Sequence, residues 1–128
     1  RMRLLREETM IKGFATVTLW VKNFDQSIHF YQDILGLELT SNPGEIPQFK
    51  VGSGFLVLVK GNFCPPQDAF PPDFPQVGFE TDNIDKIAAR RQQAGVEIQG
   101  NIEERRDSRW FKVCDPDGNL IEFIQVKI

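Results

Sequence analysis

Glu122 stands among Leu120, Ile121, Phe123 and Ile124. A lone carboxylate carried into apolar surroundings is costly unless a metal, a cation or a polar cleft answers it. Arg109 is the cationic candidate. If the hairpin pairs Cys114 with Asn119, Phe111 faces Glu122 and Arg109 lies diagonally within reach on the same face. That gives an Arg109–Glu122 pair; the alternative is an Arg109 that holds an anionic ligand. Trp20 shares a strand face with Thr16 and Thr18, and Phe55 and Phe111 are expected beside it. Together they form either an enlarged core or an aromatic-walled pocket for a flat or hydrophobic small molecule.

Other reactive types offer less. His29 is the single histidine; it falls in a helical stretch beside Phe30 and Tyr31 and reads as structural or surface, so no Ser-His-Asp arrangement can be built. Cys114 reads as a small core residue and Cys64 as a loop thiol, neither with a histidine placed to activate it. Glu103 to Arg109 is mixed in sign. It is either a solvated loop or a lid in which Arg105 or Arg106 reaches a ligand. The glycines fall at turns and stops, and no glycine-rich phosphate loop is present.

The elements that must position these groups follow from periodicity. Val17, Leu19 and Val21 alternate with Thr16, Thr18 and Trp20, the period of a half-buried strand. Asn23 to Asp25 can cap a helix carrying Ile28, Tyr31, Ile34 and Leu35, which Gly36 stops. Leu37 to Thr40 start a second strand, and Phe49 to Gly52 and Phe55 to Val59 form a hairpin. Residues 61–75 are a connector with prolines at 65, 66, 71, 72 and 75, too many for a helix or a central strand; Phe63, Phe70 and Phe74 are expected to pack on the body or on a second subunit. A strand at Gln76 to Thr81 comes next, then a helix through Ile87, Ala88 and Ala94 stopped at Gly95, and a strand beginning at Val96 to Ile98. Arg109 to Ile124 forms the last hairpin, its turn made by Asp115, Pro116, Asp117 and Gly118.

The chain's 128 residues suit one domain. Residues 1–9 are expected to be an N-terminal extension, with Met10 as a natural start and a single domain over 10–128. A net charge of −3 without a sustained basic patch argues against nucleic acid and anionic membranes as partners, and no segment reaches the roughly 20 apolar residues of a membrane helix. Two cysteines make no disulfide framework, which suits a reducing cytoplasm.

The first pattern recurs after the connector. Val17 matches Val77, Asn23 matches Asn83 and Asp25 matches Asp85 at one constant spacing, and Phe55 to Val59 aligns with Leu120 to Ile124, which sets Val57 where Glu122 sits. The chain is thus an internal duplication, with modules at about 10–60 and 76–128. In "VTLWVKNFDQSIHFYQDILGLEL", "VGFETDNIDKIAARRQQAGVEI" and "RWFKVCDPDGNLIEFIQ" it resembles the vicinal oxygen chelate superfamily of glyoxalases, extradiol dioxygenases, and fosfomycin and bleomycin resistance proteins.

The resemblance implies an α+β fold: two tandem βαβββ modules whose eight strands curl around a cleft with helices outside, commonly in a homodimer. It also implies metal ligands on the first, fourth, fifth and eighth strands, positions that fall here on Thr16, Val57, Gln76 and Glu122. Valine cannot ligate, threonine is a poor ligand and Gln76 a weak one, so only Glu122 has ordinary strength. One histidine also precludes the two-histidine, one-carboxylate set of the extradiol dioxygenases. The expectation is a small-molecule binding protein similar to bleomycin resistance proteins, with no metal cofactor. Its ligand-binding cleft would be formed by Thr16, Thr18, Trp20, Phe55, Val57, Gln76, Arg109, Phe111 and Glu122. The alternative is a lyase or isomerase of the glyoxalase I type, with a divalent metal such as Zn, Ni, Mn or Fe on Gln76 and Glu122.

Overall fold

The alternation at the start of the chain becomes strand β1 (Thr16–Val21), which presents Val17, Leu19 and Val21 inward and Thr16, Thr18 and Trp20 outward. A computed structural model describes residues 10–61 and 76–127. The N-terminal extension and, apart from Gly61, the expected connector with Cys64 and its three phenylalanines lie outside the described residues.

Asn23 caps helix α1 (Phe24–Ile28), its side chain accepting from the Gln26 amide, as a side-chain oxygen at that position is suited to do. The helix continues as a π-helical segment, His29–Ile34, where Leu35 N–H donates to Phe30 C=O. Consecutive Phe30 and Tyr31 are both buried there, which a regular surface helix with a single inward stripe does not readily allow. Strands β2 (Glu38–Leu39), β3 (Gln48–Val51) and β4 (Gly54–Lys60) complete the first unit.

The second unit repeats it with β5 (Val77–Glu80), α2 (Ile84–Gln93), β6 (Glu103–Glu104), β7 (Ser108–Cys114) and β8 (Leu120–Val126). Each unit yields a four-stranded mixed sheet, ordered β1-β4-β3-β2 and β5-β8-β7-β6, with β1 parallel to β4 and β5 parallel to β8. The architecture is α+β, two βαβββ modules. The strand expected at Val96 to Ile98 is reduced to a single bridge, Ile98 to Val113, and pairing resumes only at β6.

The two sheets share one apolar cluster, in which Val21, Phe49, Leu56 and Leu58 of the first unit join Ile84, Phe111, Val113, Ile121 and Phe123 of the second. A polar clasp ties them as well. Tyr31 Oη donates to Asp115 Oδ2 at 2.7 Å; Asp115 Oδ1 accepts from the amides of Asp117 at 2.9 Å and Asn119 at 2.8 Å, and Asn119 Nδ2 donates to Asp115 Oδ2 at 2.9 Å. Asn119 Nδ2 also reaches Trp20 C=O, and Lys22 N–H donates to Asp117 Oδ1. The turn between β7 and β8 therefore grips the end of β1 and the π-helical segment, as buried polar groups must find partners.

Candidate functional site

Strand register decides which side chains share the face turned away from the apolar cluster. Thr16 pairs with Phe55, Thr18 with Val57 and Trp20 with Val59, and residues directly opposite project to the same side. Thr16, Thr18, Trp20, Phe55 and Val57 therefore lie on one face of the first sheet. Trp20 is 46% exposed, and its ring covers Gly61 so closely that a Cβ there would stand 2.5 Å from Trp20 Cε3. Lys50, opposite Phe55, sets its ammonium 5.9 Å from the Phe55 ring centre, within cation–π range.

In the second sheet Gly78 pairs with Glu122 just as Thr18 pairs with Val57, so Val57 occupies in the first sheet the place Glu122 occupies in the second. Gln76 immediately precedes β5, half-buried, and strand alternation puts it on the Gly78 side. Glu122 Oε1 hangs over Gly78, 3.4 Å from where a Cβ would be. Gly78 also lines a cavity of about 350 Å³ with Phe14, Thr16, Phe55, Val77 and Phe79.

Two expected cleft residues are elsewhere. Phe111 is 1% exposed and packs 5.4 Å from Phe123, ring centre to ring centre, in the core. Arg109 lies on that same inner side. Its guanidinium donates to both Asp85 carboxylate oxygens at 3.3 and 3.2 Å, at the start of α2, beside Gln125, whose side-chain oxygen accepts from the Ile84 amide. The Asp85 carboxylate beside it raises the Arg109 guanidinium above its ordinary value. The Arg109–Glu122 pair does not form.

The cause is a one-residue difference in register. Asp115 N–H bonds Asn119 C=O, Gly118 takes φ +87°, and Cys114 pairs with Leu120 rather than Asn119. This is a three-residue loop closed by a left-handed glycine, and slipping a strand by one residue exchanges its faces.

The partner of Glu122 is Lys112, directly opposite, with Nζ 4.0 Å from Oε2 and both side chains about a quarter exposed. Sequence reasoning missed Lys112 and, on the same face, Trp110. The signal was available: Phe111 and Val113 alternate with Trp110 and Lys112, and only the observed register matches apolar with apolar and cation with carboxylate.

The remaining candidates carry no nucleophile. Burial, and Asp115 beside it, raise the Cys114 thiol above its ordinary value, the reverse of an activated thiolate. His29 is exposed and paired with Asp33 at 2.8 Å. Among the described residues no group of three or more His, Cys, Asp or Glu is gathered as a metal would require. The four strand positions supply one carboxylate, one amide, one hydroxyl and one hydrocarbon, a set that does not fit a catalytic divalent ion. No helix among the described residues is long and apolar enough to cross a membrane.

Known proteins share this fold. Metallothiol transferase FosB of Staphylococcus epidermidis is 26% identical over 117 residues, covering 88% of this chain and 83% of that protein. The crystal structure of a glyoxalase family protein from Bacillus anthracis superposes with a TM-score of 0.76 at 26% identity, over 94% of this chain and all of that one. TnmS3, an antibiotic binding protein from Streptomyces sp. CB03234, gives a TM-score of 0.74 at 26% identity with the same coverage. The profile of the Glyoxalase/Bleomycin resistance protein/Dioxygenase superfamily matches residues 13–123, and the chain belongs to that superfamily.

Proposed function

We propose that this protein binds a small organic molecule in the aromatic-walled cleft between its two sheets, without a metal, and does so as a cytoplasmic homodimer. In this reading Thr16, Thr18, Trp20, Phe55 and Val57, which share one strand face, make one wall, and Gln76, Gly78 and Glu122 make the other; Thr16, Phe55 and Gly78 line one cavity. The observation that carries the reading is the aliphatic Val57 in the register position of Glu122. An ion held there would lack a donor from the fourth strand. The likeness to an antibiotic binding protein supports a holding role, and the free thiol of Cys114 suits a reducing compartment.

The likeness to a metallothiol transferase favours metal dependence, and with it a second reading: a reduced metal site on Gln76 and Glu122 serving a lyase or isomerase of the glyoxalase I type. Metal analysis of protein purified without chelator separates the two, together with thermal-shift titrations using Ni, Zn, Mn and Mg ions. The binding-protein reading expects substoichiometric metal and no ion-dependent shift. Stoichiometric metal that disappears in Glu122→Ala would refute it.

A further inference from the structure

We infer that the cavity over Trp110 and Lys112 on the second sheet, beside Glu122, is built for a flat organic anion, with Lys112 supplying the positive charge that a divalent ion would otherwise bring. The inference rests on the ligand-holding role proposed above and names the chemical class of that ligand.

Lys112 stands at the junction of two features. On one side its ammonium is 4.0 Å from Glu122, beyond hydrogen-bonding distance, so its donors remain available to a third group while the carboxylate's charge is balanced. On the other side Lys112 lines a cavity of about 510 Å³ with Gln99, Asn101, Arg105 and Trp110. Arg105 lies over the Trp110 ring, 5.3 Å from its centre. A guanidinium stacked on an indole, with an ammonium two residues along the same strand face, offers a plane to lie against and two cations to meet an acidic substituent.

Two carboxylates share this cavity, Glu103 and Glu104. Glu104 is engaged by Lys127 and by Arg109, and Lys127 pulls its carboxyl below the usual range. Glu103 is exposed, opposite Trp110. Neither neutralises Arg105 or Lys112 through a close contact. The segment carrying Arg105 thus gains a ligand-facing role.

Calorimetric titration of the full chain with three isosteric probes tests this: 1-naphthoate, 1-naphthamide and 1-naphthylmethylammonium. The expected result is naphthoate binding about tenfold more tightly than the amide, the worth of one half-buried charge-assisted contact. Lys112→Gln should remove that preference and Arg105→Gln reduce it, both with unchanged melting temperature, and Glu122→Gln should increase it. The comparison of probes on the unmodified chain needs no variant.

Equal binding of acid and amide would overturn the anion assignment and leave the ligand-holding role standing. A preference for the ammonium probe that Glu122→Gln abolishes would also overturn it. Silence toward all three probes would count against the assignment and the ligand-holding role together.

Discussion

The first and second sheets share strand order, parallel edge pair and register, yet the chemistry on their faces away from the core diverges. At matched places the first sheet has Thr18 and Val57 and the second has Gly78 and Glu122. The turns differ as well: β3 and β4 are joined at the exposed Gly52 and Ser53, whereas β7 and β8 are joined through the buried Asp115, Asp117 and Asn119. Repetition preserves what packing requires, namely alternation and helix caps at Asn23 and Asn83. It leaves polar positions free to specialise, and here both the clasp and the charged pair fell to the second copy.

The largest effect expected from breaking this asymmetry comes from the clasp. Asp115→Ala strands the donors of Tyr31, Asn119 and Asp117 in a buried turn, a loss of about 3 kcal/mol or more. Ser53→Ala in the other turn should stay within about 0.5 kcal/mol. Urea melts of both variants make the comparison.

The clasp also predicts a pH dependence. Burial raises the Asp115 carboxyl above its usual range, with bonds from Tyr31, Asn119 and Asp117 only partly opposing it. A carboxyl raised in the folded state contributes stability that is complete below its unfolded pKa and is lost as pH rises through the folded value. Urea midpoints measured upward from the ordinary carboxylate range should therefore carry a falling contribution that Asp115→Asn abolishes.

A smaller effect is expected at the first sheet's aromatic wall. Gly61→Ala pushes Trp20 off its seat at a cost of about 1 kcal/mol, visible as a shift in tryptophan emission. The smallest comes from making the second sheet like the first. Glu122→Val should change the unfolding free energy measured in urea by no more than about 1 kcal/mol, because a partly exposed pair contributes little.

How legible the fold was depends on period and repeat. The alternation of β1, the asparagine caps and the recurrence of Val17, Asn23 and Asp25 at Val77, Asn83 and Asp85 were enough to place two βαβββ units. The π-helical turn left no mark, because helical spacing of Ile28, Tyr31 and Ile34 reads the same whether or not the backbone widens. That Thr16, Thr18, Trp20, Phe55 and Val57 share one face of the first sheet was legible for the same reason as its strand. The second-sheet half failed at Arg109 and Phe111 because faces depend on hairpin register, and register turned on whether the loop after Cys114 closed one residue earlier or later. Lys112 and Trp110 followed from that single step.

The clasp at Asp115 has a bearing on how the chain can be divided. Its bonds to Tyr31, Trp20 and Lys22 join the halves through space, and the shared apolar cluster does likewise. Covalent continuity between residues 61 and 76 is not among the links these contacts need. Fragments ending at 61 and beginning at 76, produced together, should therefore find each other and reconstitute the fold, while either fragment alone would leave half of an interlocking seam open to solvent.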